Sequence, residues 1–111
     1  MKKVNIFLVL LSVLFVLSCD SAAIQDISAV IENPTYTAHI QPVIEAKCVG
    51  CHNGSQYPNL SNYDQVKEAC TTGAVICRID GSCGEIMPPS GKMPQATVDM
   101  ITRWTDNNCP N

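Results

Sequence analysis

The sequence predicts an all-α domain of about three helices, and three observations predict it. Apolar residues recur at helical spacing in three separate segments, near 38–51, 63–70 and 96–107. Each segment is bounded by helix-starting or helix-stopping chemistry: Thr37 and Pro42, Ser61 or Asn62, and Pro110 after the last. The 111-residue chain holds one Trp, three Tyr and two Phe. A domain this small and this poor in aromatics is marginal on apolar packing alone, so a covalent or prosthetic staple is expected.

Taken in order, residues 1–18 read as a signal peptide, with Lys2 and Lys3 as its charged start and Val4 to Leu17 as its apolar run. That run is short for a bilayer span. Val16-Leu17-Ser18-Cys19 resembles a bacterial lipobox, which makes Cys19 the expected lipidation site and the first residue of the mature chain. More than one acyl chain on that cysteine would anchor the protein stably to a membrane. Residues 19–34 are polar with scattered Ile and Val and end at Pro34, the composition of a lipidated tether. The folded domain is expected over 35–111.

The first helix is expected from about Ala38 to Cys51, with Thr37 as N-cap and Pro42 in the first turn. Ile40, Val43, Ile44 and Cys48 form its inward stripe. Asn53-Gly54 is a turn signal that stops it just after His52. Tyr57 to Leu60 reads as loop, and a short helix from Tyr63 to Cys70 follows with Val66 inward. Ala74 to Ile79 is apolar but too short for periodicity to decide. The segment from Ile86 to Pro94, with prolines at 88, 89 and 94, is a rigid loop. The final helix is expected from Ala96 to Asn107, with Val98, Ile101 and Trp104 inward and Trp104 against the first helix.

Cys48-Val49-Gly50-Cys51-His52 is the stretch that carries chemistry. Cys-x-x-Cys-His is the pattern at which haem is covalently attached. Two thiols three residues apart on one helical turn share a face and can each add to a haem vinyl group, and His52 follows as the iron ligand. Zinc ribbons and dithiol redox proteins also use Cys-x-x-Cys, but neither requires the following His. The expected cofactor is therefore one haem c per chain, held by Cys48 and Cys51 and ligated through iron by His52.

A thioether opposite His52 would complete the ligand set and raise the reduction potential relative to two nitrogens. Met87, followed by Pro88 and Pro89, stands far enough before the last helix for its loop to wrap a haem edge. Met93 is the second choice, because it lies beside the helix start and suits a core-filling role. Met100 falls within the helix. His39, the only other histidine, would lie ~20 Å from His52 along a continuous helix at ~1.5 Å per residue, and is expected to be exposed or capping.

Of seven cysteines, Cys70, Cys77, Cys83 and Cys109 remain after Cys19, Cys48 and Cys51 are assigned. In an oxidising envelope compartment two disulfides are expected, with three connectivities open. Linking Cys109 to an earlier loop would close the largest ring. A second metal site is disfavoured because these four lack ligand spacing and a paired His. The formal charge is −3, and loss of Lys2 and Lys3 makes the mature chain more acidic. No basic patch points to nucleic acid.

The combination Ile40-Gln41-Pro42-Val43, Cys48 to Gly54, Met87-Pro88-Pro89 and Trp104 resembles bacterial class I type cytochrome c domains, in particular small monohaem lipoprotein members. The resemblance covers about Tyr36 to Asn107. It implies a small cytochrome c-like fold, all-α, with about three helices and crossing terminal helices around one covalently bound haem. It also implies Cys48, Cys51, His52 and Met87 as the cofactor-binding set, His52 and Met87 on the metal. The extra cysteines depart from the simplest members, and Cys83 is only four residues from Met87.

The expected function is one-electron transport by a membrane-anchored, periplasm-facing lipoprotein of the bacterial cell envelope, with redox proteins of that envelope as partners. It is not expected to be an enzyme, since both axial positions would be filled and the chain shows no convincing base or nucleophile. The alternative is a haem-based gas sensor or haem enzyme whose sixth ligand is displaceable. A third class, a structural module binding zinc or nothing, would use the same cysteine pair without haem.

Overall fold

The computed structural model describes residues 30–111. The expected signal peptide, Cys19 and most of the tether therefore lie outside the described residues. Among those described, the secondary structure is wholly helical. A π-helical segment, Tyr36–Ile40, runs directly into helix α1, Gln41–Lys47. Helix α2 is Tyr63–Thr71, α3 is Ile76–Asp80 and α4 is Gln95–Asp106. None is long and apolar enough to cross a membrane.

Two expectations about the first helix are corrected. It starts earlier, at Tyr36, with Thr35 rather than Thr37 at the N-cap and no side-chain cap bond. The Thr37 hydroxyl instead donates to Asn111 Oδ1 at 3.2 Å. The helix also ends at Lys47, so Cys48 to His52 follow it as turns rather than forming its last turn. Cys48 leaves helical geometry at φ −124°, and the exposed Gly50 next to β-branched Val49 is poor helix material. Backbone bonds from Cys51 and His52 N–H to the Cys48 carbonyl, 3.1 and 2.9 Å, keep the two thiols and the imidazole on one compact turn.

Helix α2 forms as expected. Asn62 is its N-cap, accepting from the Gln65 N–H at 3.0 Å, and Val66, Ala69 and Cys70 are its buried face. The undecided stretch at 74–79 resolves into α3, which stops at Gly81 in the left-handed conformation, φ 83°. Helix α4 buries Val98, Ile101 and Trp104 at three-residue intervals. It closes with Asn108 at φ 63°, whose N–H donates to Thr105 O, while Cys109 N–H reaches Trp104 O. That is a Schellman closure, and it folds the C-terminus back over the last turn of α4.

The core is one cluster drawn from every helix: Tyr36, Ile40, Ile44, Val66, Ile79, Val98, Ile101 and Trp104 are all buried. Each such side chain stabilises the fold by about 1.5–3 kcal/mol on burial. Trp104 is the hub. Its ring lies 5.9 Å from Tyr36 and 6.4 Å from Tyr63, and Tyr36 and Tyr63 meet edge-on at 5.2 Å. Its indole N–H donates to the Pro110 carbonyl at 2.8 Å, an acceptor that also receives the Tyr36 backbone N–H at 2.8 Å. Trp104 thus joins the start of the first helical segment, the start of α2 and the end of the chain.

Candidate cofactor cleft

A cavity of about 380 Å³ opens between the turn after α1 and the α3 side of the molecule. Its walls include Cys48, Cys51, His52 and Met87 together. The volume falls within the range of small-molecule and cofactor sites. Met93 is not on these walls; it is buried in the core at 6% exposure. Met100 packs partly buried against that core on α4, and His39 lies outside the cleft, its Nδ1 accepting the Thr35 backbone N–H at 3.1 Å.

His52 is held by its surroundings. Its Nδ1 lies 2.9 Å from the Pro58 carbonyl, a distance at which a protonated Nδ1 donates. The same turn is closed by Leu60 N–H to the His52 carbonyl at 2.7 Å. With Nδ1–H engaged, Nε2 carries the free lone pair, which is the tautomer a metal-ligating imidazole needs. Cys48 is half-buried and Cys51 exposed, both with free thiols. Burial pushes the Cys48 thiol pKa up, keeping it neutral.

The opposite wall is built on α3 and the loop after it. Val75, Arg78 and Ile79 face the cleft, followed by Cys83 and then Met87 with its two prolines. Two devices fasten this loop. Cys77 and Cys83 form a disulfide, with Cα atoms 5.2 Å apart, and the Met87 N–H donates to the Arg78 carbonyl at 3.0 Å. The Arg78 guanidinium in turn donates to the Glu85 carbonyl at 2.9 Å. Of the three pairings the sequence leaves open, the structure forms the link between near neighbours, because Cys77 at the start of α3 and Cys83 just past its end face each other across one short turn; Cys70 and Cys109 are free thiols, so one disulfide stands among the described residues where two were expected.

The donor chemistry of the cleft fits a haem. The lining offers one imidazole with a free Nε2, one thioether, two unbonded thiols near the imidazole, and apolar walls from Leu60, Val75, Ile79, Pro88 and Pro89. Two cations, Lys47 and Arg78, border it and could meet acidic groups on a ligand. Among the described residues no group of three or more His, Cys, Asp and Glu side chains is placed to hold a metal ion.

Sequence reasoning missed most of the walls. Tyr57 to Leu60 read only as loop, although Pro58 supplies the carbonyl that orients His52 and Leu60 the apolar floor. Arg78 and Lys47 carried no motif. The one available signal was the apolar stretch 74–79, whose Val75 and Ile79 are four residues apart and so share a helical face. Comparison with protein-family models, with curated proteins and with solved structures finds no match to this chain.

Proposed function

We propose that the protein is a one-electron carrier: a c-type cytochrome with one covalently attached haem, tethered to the bacterial envelope through lipidated Cys19 and facing the periplasm. The observation that carries this reading is that a single cleft is lined by Cys48, Cys51, His52 and Met87, with His52 Nδ1 tied to the Pro58 carbonyl. Bound haem would supply an iron that alternates between ferrous and ferric states.

The chain's own residues have distinct tasks in this reading. Cys48 and Cys51 would hold the group covalently through their thiols. The Pro58 carbonyl, bonded to Nδ1, would leave Nε2 of His52 free to hold the metal and make the imidazole more basic. Met87 would hold the iron through its thioether, from a loop clamped at Arg78 and Cys83. Leu60, Val75 and Ile79 exclude water, which lowers the local dielectric and so helps set the potential. With His52 and Met87 both holding the iron, no position on it would be left for a substrate, so the reading is a carrier, not an enzyme.

The partners would be redox proteins of the envelope. The acidic composition, formally −3 over the whole chain, would steer the protein toward basic partner surfaces. The test is an optical spectrum of the exported protein, oxidised and reduced, before and after denaturing extraction. Haem that stays attached and gives low-spin reduced bands supports the proposal. Protein exported alongside a working cytochrome-assembly system yet lacking attached haem overturns it. Carbon monoxide binding to the reduced protein would reject filled axial positions and favour the sensor or enzyme alternative.

A further inference from the structure

Met87 stands on a stretch without helix, and the two residues after it, Pro88 and Pro89, have no N–H with which to fasten it from the far side. Its place on the cleft wall therefore depends on the contacts made before it. The Cys77–Cys83 disulfide ends four residues short of Met87, and four residues of free chain reach about 13 Å at ~3.3 Å each. On its own, that bond leaves the thioether room to swing away from the cleft.

Arg78 closes the gap. Its Nη1 donates to the Glu85 carbonyl at 2.9 Å, and its backbone carbonyl accepts the Met87 N–H at 3.0 Å. Gly84 lies so close to the guanidinium that a Cβ there would stand 2.5 Å from Nη1 and 3.0 Å from Cζ. Gly84 also has φ 57°, in the left-handed region that favours glycine. One residue of α3 thus meets the loop at 84, 85 and 87. We propose that the Arg78 side chain, seated on Gly84, is the positioning residue for Met87: it holds the loop against opening and so governs how readily an outside ligand displaces the thioether. The displacement rests on the haem reading of the cleft, whereas the hold on the loop does not.

The backbone bond alone is a weak lock, because Met87 is only partly buried and water competes for its N–H. The guanidinium adds a charge-assisted donor from a planar, permanently charged group. Without it the exposed Glu85 carbonyl turns to water, so the loss is the net worth of one hydrogen bond, about a two- to tenfold larger open population. While the closed loop predominates, an outside ligand gains apparent affinity in the same proportion. Gly84→Ala reaches the same point from the other side: the added methyl claims the room of Nη1, and the flexible guanidinium yields before the backbone does.

The test uses exported full-length protein in two measurements. In the first, amide hydrogen exchange is followed by NMR. Arg78→Gln and Gly84→Ala should each speed exchange at the Met87 N–H about two- to tenfold. The Val66 N–H, bonded to the Asn62 carbonyl in α2, should keep its rate, which separates a local release from general destabilisation. In the second, imidazole is titrated into the ferric haem-loaded protein. Both substitutions should raise its apparent affinity about two- to tenfold, and neither should raise it further in a Met87→Ala background. An equal rise in that background overturns the proposal, because Arg78 would then act on the entering ligand and not through Met87. Protein without attached haem, or a Met87→Ala variant with unchanged imidazole affinity, would fail the haem and ligand reading instead. The exchange measurement still decides the hold on the loop in that case: faster exchange at Met87 alone sustains it, and an unchanged Met87 rate in Arg78→Gln overturns it.

Discussion

Replacing Trp104 tests whether one side chain holds together the frame around the cleft. Its indole N–H donates to the Pro110 carbonyl at 2.8 Å and its ring contacts Tyr36 and Tyr63, yet it does not line the cleft. In Trp104→Phe the hydrogen bond is lost at about 1 kcal/mol. The carbonyl is not orphaned, because the Tyr36 N–H still occupies it. The missing ring leaves a hole of about 40 Å³, which at about 24 cal/mol per Å³ adds about 1 kcal/mol. The expected cost is therefore about 2 kcal/mol. Trp104→Ala should cost about 3–5 kcal/mol. A domain of this size has total stability of roughly 4–12 kcal/mol at about 0.05–0.15 kcal/mol per residue, so the alanine variant approaches the limit of folding. The assay is urea unfolding followed by far-UV circular dichroism, because Trp104 is the only tryptophan and its fluorescence disappears with it. A Trp104→Phe midpoint indistinguishable from the parent, at unchanged slope, would refute the hub role.

Four further outcomes follow from the same geometry. Met87→Ala should remove the thioether-to-ferric absorption band of the haem-loaded protein and lower its reduction potential, while Met93→Ala should keep the band and cost about 2–5 kcal/mol of stability as a core truncation; loss of the band in Met93→Ala alone would reverse the ligand assignment. The double variant Cys48→Ala/Cys51→Ala should release haem on denaturing extraction, and retention there would refute thioether attachment. Cys70 is a free thiol whose pKa burial pushes up to about 12, so folded Cys70 keeps its proton at pH values where the unfolded thiol, near 8.5, has lost it. Stability is then fully present below about 8.5 and should fall between there and about 12, by at most about 1.4 kcal/mol per pH unit; Cys70→Ala should flatten that decline, and a decline left unchanged would exclude this thiol as its source. The Asp80 carboxyl is held low by hydrogen bonds from the Ser82 hydroxyl and then its backbone N–H, 2.7 Å, so its contribution is present above the ordinary carboxylate range and lost as pH falls through the folded value. Ser82→Ala should raise that pKa in an NMR titration.

Helices α2 and α4 were legible because each signal is local. Asn62 caps the residue run that begins with Tyr63, and Val98, Ile101 and Trp104 recur on one face. The end of α1 was not, because helical spacing continues from Ile44 to Cys48 while the backbone has already left the helix. An apolar stripe reports which way side chains face, not the φ at which each residue sits. In the cleft, the Cys-x-x-Cys-His stretch and Met87 were visible as motif and loop chemistry. Pro58, Leu60 and Arg78 were not, since each acts through a contact with a residue six to nine positions away in a turn whose closure no periodicity encodes. The Cys77–Cys83 pairing was equally hidden: ring-size arguments rank how much a bond constrains the unfolded chain, whereas the fold decides which sulfurs meet.

The cleft is assembled from two walls that are secured separately. One is the turn from Cys48 to Leu60, closed by the Pro58 and Leu60 bonds to His52. The other is α3 with the Met87 loop, closed by the disulfide and by the Met87 bond to Arg78. The hydrogen bonds and disulfide that fasten each wall stay within that wall, so a bound group reaching both His52 and Met87 would add the direct link between them. Such a group would stabilise the folded state by its differential affinity for that state over the unfolded chain, and if attached covalently to Cys48 and Cys51 it would stay present even after unfolding. Urea unfolding of protein made without haem should therefore occur at a lower midpoint and with a shallower slope than that of haem-loaded protein, the α3 wall opening first. Equal midpoints and slopes would show that the walls hold each other through the core alone, and that Met87 contributes nothing to stability from its place on the cleft.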